Sequence, residues 1–193
     1  MSNTEVNNKQ TPKQTRDSKT SRWNTRQLAT MALLTALGVV FSFIEIPITG
    51  PVLLYDPSNT AAMIGGLAFG PGAGAVIGVL STCIHGVFKG DFAGTLINLV
   101  AVISFVVPAA AVYRRYPSIK GCIVGLAIGC VASFAFTVPM NFVVWPIYAG
   151  MSFSDVVDFL PVLAPFNLAK IALNGIVSFA LFKSLEKLLR QGE

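Results

Sequence analysis

Long apolar stretches, separated by short polar or proline-rich segments, make up the chain from about residue 28 onward. A helix needs roughly 20 residues to cross the hydrocarbon core of a bilayer, and most of these stretches reach that length. The pattern predicts spans at residues 28–46, 58–69, 73–88, 92–113, 121–145 and 163–181. We therefore expect an all-α protein, a six-helix integral membrane bundle.

The second predicted span is shorter than the others, because Gly70, Pro71 and Gly72 form a turn soon after it begins. Residues 58–69 barely cross the hydrocarbon core as a helix. A short or tilted helix packed inside the bundle would account for this length.

A proline-rich segment comes after the first span. Residues 47–51 read Pro-Ile-Thr-Gly-Pro, which no regular helix crosses, and the apolar residues Val52, Leu53, Leu54 and Tyr55 come next. A purely solvated loop does not need these apolar side chains. We expect a lid over a ligand pocket, with Leu53 and Tyr55 at the ligand. An interfacial aromatic anchor at Tyr55 is the other interpretation.

The connection after the fifth predicted span, residues 146–161, carries two acidic residues. Asp155 and Asp158 are spaced like paired carboxylates, but the segment is expected to be solvated. We therefore assign them a helix-capping or solubility role rather than a catalytic one.

The charge distribution supports the membrane assignment. Hydrophobic residues make up 53% of the 193 residues and charged residues only 12%, whereas soluble proteins carry about 25% charged residues. Of the 14 Lys and Arg residues, all except Lys89 and Lys170 lie before the first span, in residues 114–120, or after the last span. Six spans place these three clusters on one side, which the positive-inside rule identifies as the cytoplasm.

This topology predicts a multi-pass protein of the bacterial cell membrane with cytoplasmic N- and C-termini. Residues 1–25 are polar and are expected to form a disordered cytoplasmic tail, and residues 26–193 form one membrane domain. The basic residues have no interleaved aromatic side chains, so a nucleic-acid partner is not expected. Membrane lipid is the expected surrounding.

Sequence motifs for catalysis are missing. The chain has no phosphate-binding G-x-x-x-x-G-K-[ST] motif, no H-E-x-x-H and no G-x-S-x-G. Its one histidine, His85, has no cluster of metal-ligating residues near it in the sequence, so a polar contact is expected. The three cysteines fall within predicted spans and are expected to be buried thiols. We expect no enzyme activity, no catalytic residue, no metal and no cofactor.

Polar residues within the predicted spans point to a binding site, since ionisable groups in a membrane are costly. Lys170 shares a helical face with Asn167 and Asn174. Five polar residues from four spans have about the same depth, in the outer third of the bilayer: Glu45, Asn98, Asn141, Asn167 and Lys170. With a lysine that has no evident counter-ion, this set predicts a pocket for a small ligand. Interhelical hydrogen bonding is the alternative.

The first span also carries small residues at helical spacing. Ala32 and Ala36 form an A-x-x-x-A pattern, and Ala29 lies one turn earlier. Small residues allow helices to approach closely in lipid, either within this bundle or against a partner protein.

These features together resemble the substrate-binding S components of energy-coupling factor (ECF) vitamin transporters, over residues 26–190. The segments that carry the resemblance are Met31-Ala32-Leu33-Leu34-Thr35-Ala36, Tyr55-Asp56-Pro57-Ser58, Ile64-Gly65-Gly66-Leu67-Ala68-Phe69-Gly70-Pro71 and Pro165-Phe166-Asn167-Leu168-Ala169-Lys170. The second and third segments are most like the riboflavin-binding members.

The resemblance implies a binding subunit that captures riboflavin outside the cell for ATP-driven uptake, as the transported ligand rather than as a cofactor. It implies a transmembrane coupling subunit and two ATPase subunits as partners. Glu45, Asn141, Asn167 and Lys170 match the pocket positions of the riboflavin-binding members, and Ala32 and Ala36 match the element that meets the coupling subunit. An S component for pantothenate or thiamine, or a self-sufficient secondary transporter or channel, remains an alternative.

Overall fold

The structure is a computed structural model that describes residues 23–49 and 53–190. The predicted disordered tail lies outside the described residues except for its last three. The elements in chain order are α1 (Thr25–Ser42), β1 (Ile46–Thr49), β2 (Leu53–Tyr55), α2 (Ser58–Phe69), α3 (Pro71–Lys89), α4 (Phe92–Arg115), α5 (Ile119–Ala149) and α6 (Phe153–Arg190). The prediction of a helical bundle with six helices is confirmed for this part of the chain.

The first helix is shorter than predicted, and the segment after it is not wholly irregular. α1 ends at Ser42, not at residue 46. Residues from Ile46 onward form β1, which pairs with β2 in antiparallel fashion, so that Ile46 lies opposite Tyr55. Proline disfavours the helical conformation at the residue before it, and Pro47 therefore keeps Ile46 extended. The connection between α1 and α2 is thus a small β-hairpin.

The predicted long connection at residues 146–161 is wrong. α5 continues through Pro146 to Ala149, and α6 already begins at Phe153. Gly150 ends α5 with a φ of 64°, a left-handed conformation that glycine adopts without a steric cost. Within the helices, Pro146 and Pro161 are tolerated because neighbouring groups in a membrane bundle can satisfy the freed carbonyls.

Asp155 caps the start of α6. Its carboxylate accepts a hydrogen bond from the Ser152 backbone N–H at 2.8 Å, and its own N–H donates to Ser152 Oγ at 3.2 Å. The capping role predicted for Asp155 is confirmed. Asp158 lies on the exposed surface of the same helix.

α2 lies at the centre of the bundle. All residues from Ser58 to Leu67 are buried, against α1, α3, α4 and α6. Its 12 residues extend about 18 Å, well short of the ~30 Å hydrocarbon core. The other five helices are each long and apolar enough to cross a membrane.

Apolar side chains cover much of the outside of the bundle, while hydroxyl and amide groups lie within it. Val87, Val131 and Ile147 are 76%, 70% and 70% exposed, whereas Ser133 and Asn174 are fully buried. A soluble protein does not present such an apolar exterior, but lipid solvates it well. The arrangement is that of a membrane protein.

Glycines allow α2, α3 and α4 to approach closely. A Cβ added at Gly74 of α3 would lie 2.6 Å from the Gly66 Cα, 2.9 Å from the Ala62 carbonyl oxygen and 2.5 Å from a Val106 methyl carbon. The first two are backbone atoms, which cannot rotate away. The helix spacing at this point therefore requires glycine.

We predict that Gly74→Ala lowers stability by roughly 1–3 kcal/mol, because the helices have to separate to admit a methyl group. Gly175→Ala is the matched control: its added Cβ meets only Cys130 Sγ at 3.7 Å and Phe105 Cζ at 3.8 Å, an ordinary contact distance. Thermal unfolding in detergent measures both variants. Equal melting temperatures for the two would contradict this account of the helix packing.

Candidate functional site

A cavity opens among the start of α2, the ends of α3 and α5, and parts of α4 and α6. Its wall includes all five polar residues that the sequence places at one depth: Glu45, Asn98, Asn141, Asn167 and Lys170. Apolar side chains of Leu163, Phe166 and Ile171 complete part of the wall. The structure therefore brings the predicted intramembrane polar residues together in one place.

The two predicted lid residues, Leu53 and Tyr55, both lie in the short strand β2. Tyr55 is half-buried in β2 and is not among the residues that line the cavity. Leu53 lies in the same strand, but its side chain is outside the described part of the structure. Their contact with a ligand stays a prediction. Both ends of the hairpin do reach the cavity, because Glu45 precedes β1 and Asp56 comes directly after β2.

Lys170 has a counter-ion, contrary to the sequence-based expectation. Its Nζ donates to Asp56 Oδ2 at 2.7 Å. The other oxygen, Oδ1, accepts hydrogen bonds from the Ser58 backbone N–H, at 3.2 Å, and from the Ser58 hydroxyl. Sequence reasoning missed Asp56, which is 114 positions from Lys170.

The protonation state of Asp56 depends on these contacts. Burial by itself raises the pKa of the carboxyl group, but the Lys170 ammonium and the hydrogen bonds from Ser58 outweigh it, so the pKa lies below its ordinary value. Asp56 is therefore a carboxylate at neutral pH.

Asn174 lies one turn beyond Lys170 and serves the packing of the helices. It is fully buried, its amide donates to the Asp56 carbonyl oxygen at 3.3 Å, and its side-chain oxygen accepts from Thr60 Oγ1 at 3.2 Å. It is not among the cavity-lining residues. Asn174 therefore makes interhelical hydrogen bonds, whereas Asn98 lines the cavity.

Glu45 forms a second charged cluster at the cavity. Its carboxylate pairs with the Lys89 ammonium, and its Oε1 lies 3.8 Å from His85 Nε2. The His85 ring packs edge-on against Phe43, with ring centroids 5.0 Å apart. The 3.8 Å between Glu45 Oε1 and His85 Nε2 is too long for a hydrogen bond, and His85 Nε2 has no hydrogen-bond partner among the described residues, so the polar contact expected of His85 stays a prediction. Lys89, which lies between the third and fourth predicted spans, also lines the cavity.

Asn141 and Asn167 differ in the hydrogen bonds that their side-chain amides make within the protein. Asn141 is 1% exposed; its amide nitrogen donates to the Thr137 carbonyl at 2.7 Å, and its oxygen accepts from Trp145 Nε1 at 3.0 Å. The buried Asn167 Nδ2 and Thr137 Oγ1 have no hydrogen-bond partner in the described part of the chain. Buried polar groups are rarely left unpaired, so these two atoms are natural contacts for a bound ligand.

The wall as a whole suits a small molecule with both a planar polar and an apolar part. Amides donate and accept hydrogen bonds, lysine donates to a carbonyl or hydroxyl, and Phe166 and Leu163 provide apolar contact. Among the described residues, no three His, Cys, Asp or Glu side chains form a group that could hold a metal ion.

A separate surface lies on α1. Ala32 and Ala36 are exposed, while Met31, Leu34 and Gly38 face the bundle. Internal packing therefore does not account for the A-x-x-x-A pattern, which remains available to another helix.

Comparison with known proteins agrees with this architecture. The sequence profile of the family described as "ECF transporter, substrate-specific component" matches residues 26–182. The chain is 31% identical over 177 residues to the riboflavin transporter RibU of Staphylococcus aureus (strain TCH60), which covers 86% of this chain and 93% of that protein. It is 25% identical over 167 residues to the riboflavin transporter FmnP of Bacillus subtilis (strain 168), covering 83% and 85% of the two chains.

A solved structure is also similar. It is described as "Structure and mechanism of the S component of a bacterial ECF transporter", and it superposes with a TM-score of 0.75 at 29% identity. The superposition covers 86% of this chain and 98% of that one. The common fold extends over nearly all of the described bundle.

The two asparagines make a testable contrast. We predict that Asn174→Ala destabilises the protein by about 1–3 kcal/mol, because the Thr60 hydroxyl loses its acceptor in a buried site. Asn98→Ala, in the cavity wall, is the control and should leave the melting temperature nearly unchanged. A larger loss for Asn98→Ala than for Asn174→Ala in thermal unfolding would reverse the assignment.

Proposed function

Since the chain belongs to the substrate-specific components of ECF transporters, we propose that it binds riboflavin outside the cell and presents it for ATP-driven uptake. In this proposal the residues that bind the vitamin are Glu45, Leu53, Tyr55, Asn98, Asn141, Asn167 and Lys170. The observation that carries it is the convergence of Glu45, Asn98, Asn141, Asn167 and Lys170 on one cavity within a membrane bundle.

The choice of riboflavin is supported by chemistry and by relatives. Both similar curated proteins are named riboflavin transporters. The flavin ring system is planar, with carbonyl and N–H groups at one edge, which side-chain amides such as Asn167 can recognise in pairs. The remaining ring surface is apolar and suits Phe166 and Leu163, while the ribityl hydroxyls suit an ammonium or carboxylate.

The charge distribution supports the proposed direction of capture. The cavity lies near the turn between α3 and α4, where Lys89 and Asp91 line it. The basic residues Arg114 and Arg115 lie at the opposite end of α4. Basic connections favour the cytoplasm, so the cavity faces outward and both termini lie inside the cell.

The hairpin is the proposed lid. Because Glu45 and Asp56 flank the two strands and both line the cavity, the segment between them starts and ends at the site. Leu53 and Tyr55 would then close over the bound vitamin and exclude water.

Energy has to come from other subunits in this proposal, since the sequence has no phosphate-binding motif for ATP. The partners are a transmembrane coupling subunit and two ATPase subunits. The exposed pair Ala32 and Ala36 is the proposed contact with the coupling subunit, because small side chains allow close approach of a second helix.

We predict that the protein purified in detergent binds riboflavin and quenches the fluorescence of the flavin, with Trp145 in the cavity wall as a stacking partner. The measurement is a titration at micromolar vitamin and below, with pantothenate and thiamine as competitors. We expect that neither competitor displaces riboflavin. Failure to quench, together with thermal stabilisation by pantothenate or thiamine, would assign the pocket to a different vitamin.

We also predict that Ala36→Phe keeps riboflavin binding but abolishes uptake, because a large side chain holds the coupling subunit away from α1. The assay is riboflavin uptake by liposomes that contain this chain and its coupling and ATPase subunits. Val131→Phe, at a 70% exposed position on α5, is the matched control and should transport normally. Transport by this chain alone, without ATPase subunits, would instead indicate a secondary transporter.

A further inference from the structure

Asp56 is a buried acid in the wall of the cavity, although it lies in the connecting segment between β2 and α2. It is 8% exposed, and the sequence pattern does not mark it as a site residue. A charged group in this position has to be held by specific contacts, because its removal from water is costly.

The contacts of Asp56 come from two helices. On the α2 side, Ser58 donates to Oδ1 through both its backbone N–H and its hydroxyl. On the α6 side, Asn174 donates to the Asp56 carbonyl oxygen at 3.3 Å. The Ser58 bonds hold Oδ1, and the Asn174 bond holds the Asp56 backbone, both independently of Lys170. The other oxygen, Oδ2, accepts from the Lys170 ammonium at 2.7 Å.

Lys170 depends on this arrangement more than Asp56 does. Its side chain is 18% exposed and lies in the bundle interior, and in the described part of the chain Asp56 is its one ion-pair partner. Without a counter-ion, a lysine at this depth is expensive to bury and is free to change rotamer. With it, two of the three ammonium hydrogens remain for other acceptors in the cavity.

We propose that Asp56 is a positioning residue of the binding site, which holds the Lys170 ammonium in one orientation for a carbonyl or hydroxyl oxygen of the ligand. This inference rests on the proposed function, because it takes riboflavin as the ligand. Asp56 acts through Lys170 and does not itself have to touch the vitamin.

A double-mutant cycle tests the dependence. Asp56→Asn keeps an oxygen for Ser58 but removes the charge, and Lys170→Met keeps the apolar stem but removes the ammonium. We expect each change to weaken riboflavin binding about tenfold or more. The double variant should bind no more weakly than Lys170→Met alone, since Asp56 then has nothing left to position.

Asp158→Asn is the matched control, because it removes an exposed carboxylate near the start of α6. It should bind riboflavin as the unaltered protein does. Unchanged affinity in Asp56→Asn, or losses that multiply in the double variant, would overturn the inference while leaving riboflavin binding by the unaltered protein, and hence the proposed function, intact.

Folding is checked in the same variants. Asp56→Asn leaves a buried lysine uncompensated, so its melting temperature should fall, and removal of both charges in the double variant should recover most of the loss. A double variant as unstable as Asp56→Asn alone would mean that Asp56 supports folding by itself, which contradicts a role through Lys170.

A ligand-free measurement judges the inference even where no flavin binds. Reductive methylation of the full-length protein, followed by mass spectrometry, gives the labelling rate of Lys170 relative to the exposed Lys183. We expect slow labelling of Lys170 in the unaltered protein and faster labelling in Asp56→Asn. Equal relative labelling rates of Lys170 in the unaltered protein and in Asp56→Asn would show that Asp56 does not hold the ammonium.

Discussion

A lysine inside a membrane bundle has to be neutralised by a nearby group, and the solution to this requirement organises the site. The Lys170 ammonium meets the Asp56 carboxylate, which is itself fixed to the first turn of α2 through Ser58. Asn174 adds a hydrogen bond from α6 to the Asp56 backbone and another contact to Thr60. The polar network thus joins the central helix, the last helix and the end of the hairpin at one point.

A second requirement is close packing around α2. Because this helix is buried on all sides, its neighbours have to approach its backbone, and glycines at positions 66 and 74 make that approach possible. The ion pair and the glycine contacts act on different ends of the same helix. Together they hold α2 in a fixed position relative to the cavity.

Much of the fold could be predicted from the sequence, since apolar stretches of membrane-spanning length are a strong local signal. The predictions failed where local signals are ambiguous. Prolines 146 and 161 suggest a loop, but they lie within long helices, since a membrane bundle tolerates proline that an isolated helix does not. Near Pro47 the predicted helix was too long, because the apolar start of the short strand β1 looks like the end of an apolar helix.

The candidate site was predictable to the extent that depth along a helix can be counted. Asn141, Asn167 and Lys170 lie at similar depth in their helices, and the structure places all three in one cavity. Depth along a helix does not reveal which residue each polar side chain contacts. The pairing of Asp56 with Lys170 joins residues 114 positions apart, and the contacts of Glu45 with Lys89 and His85 depend on how α1 and α3 cross.

The short, enclosed helix α2 also bears on how the protein is made. A helix of 12 residues is too short to hold a transmembrane position alone, and its polar residues Ser58, Asn59 and Thr60 would face lipid without their neighbours. α2 is therefore expected to enter the bilayer together with α3, which begins after a single residue, Gly70. Until α4 and α6 have been synthesised and pack against α2, the polar groups of its first turn lack the partners that enclose them in the complete bundle.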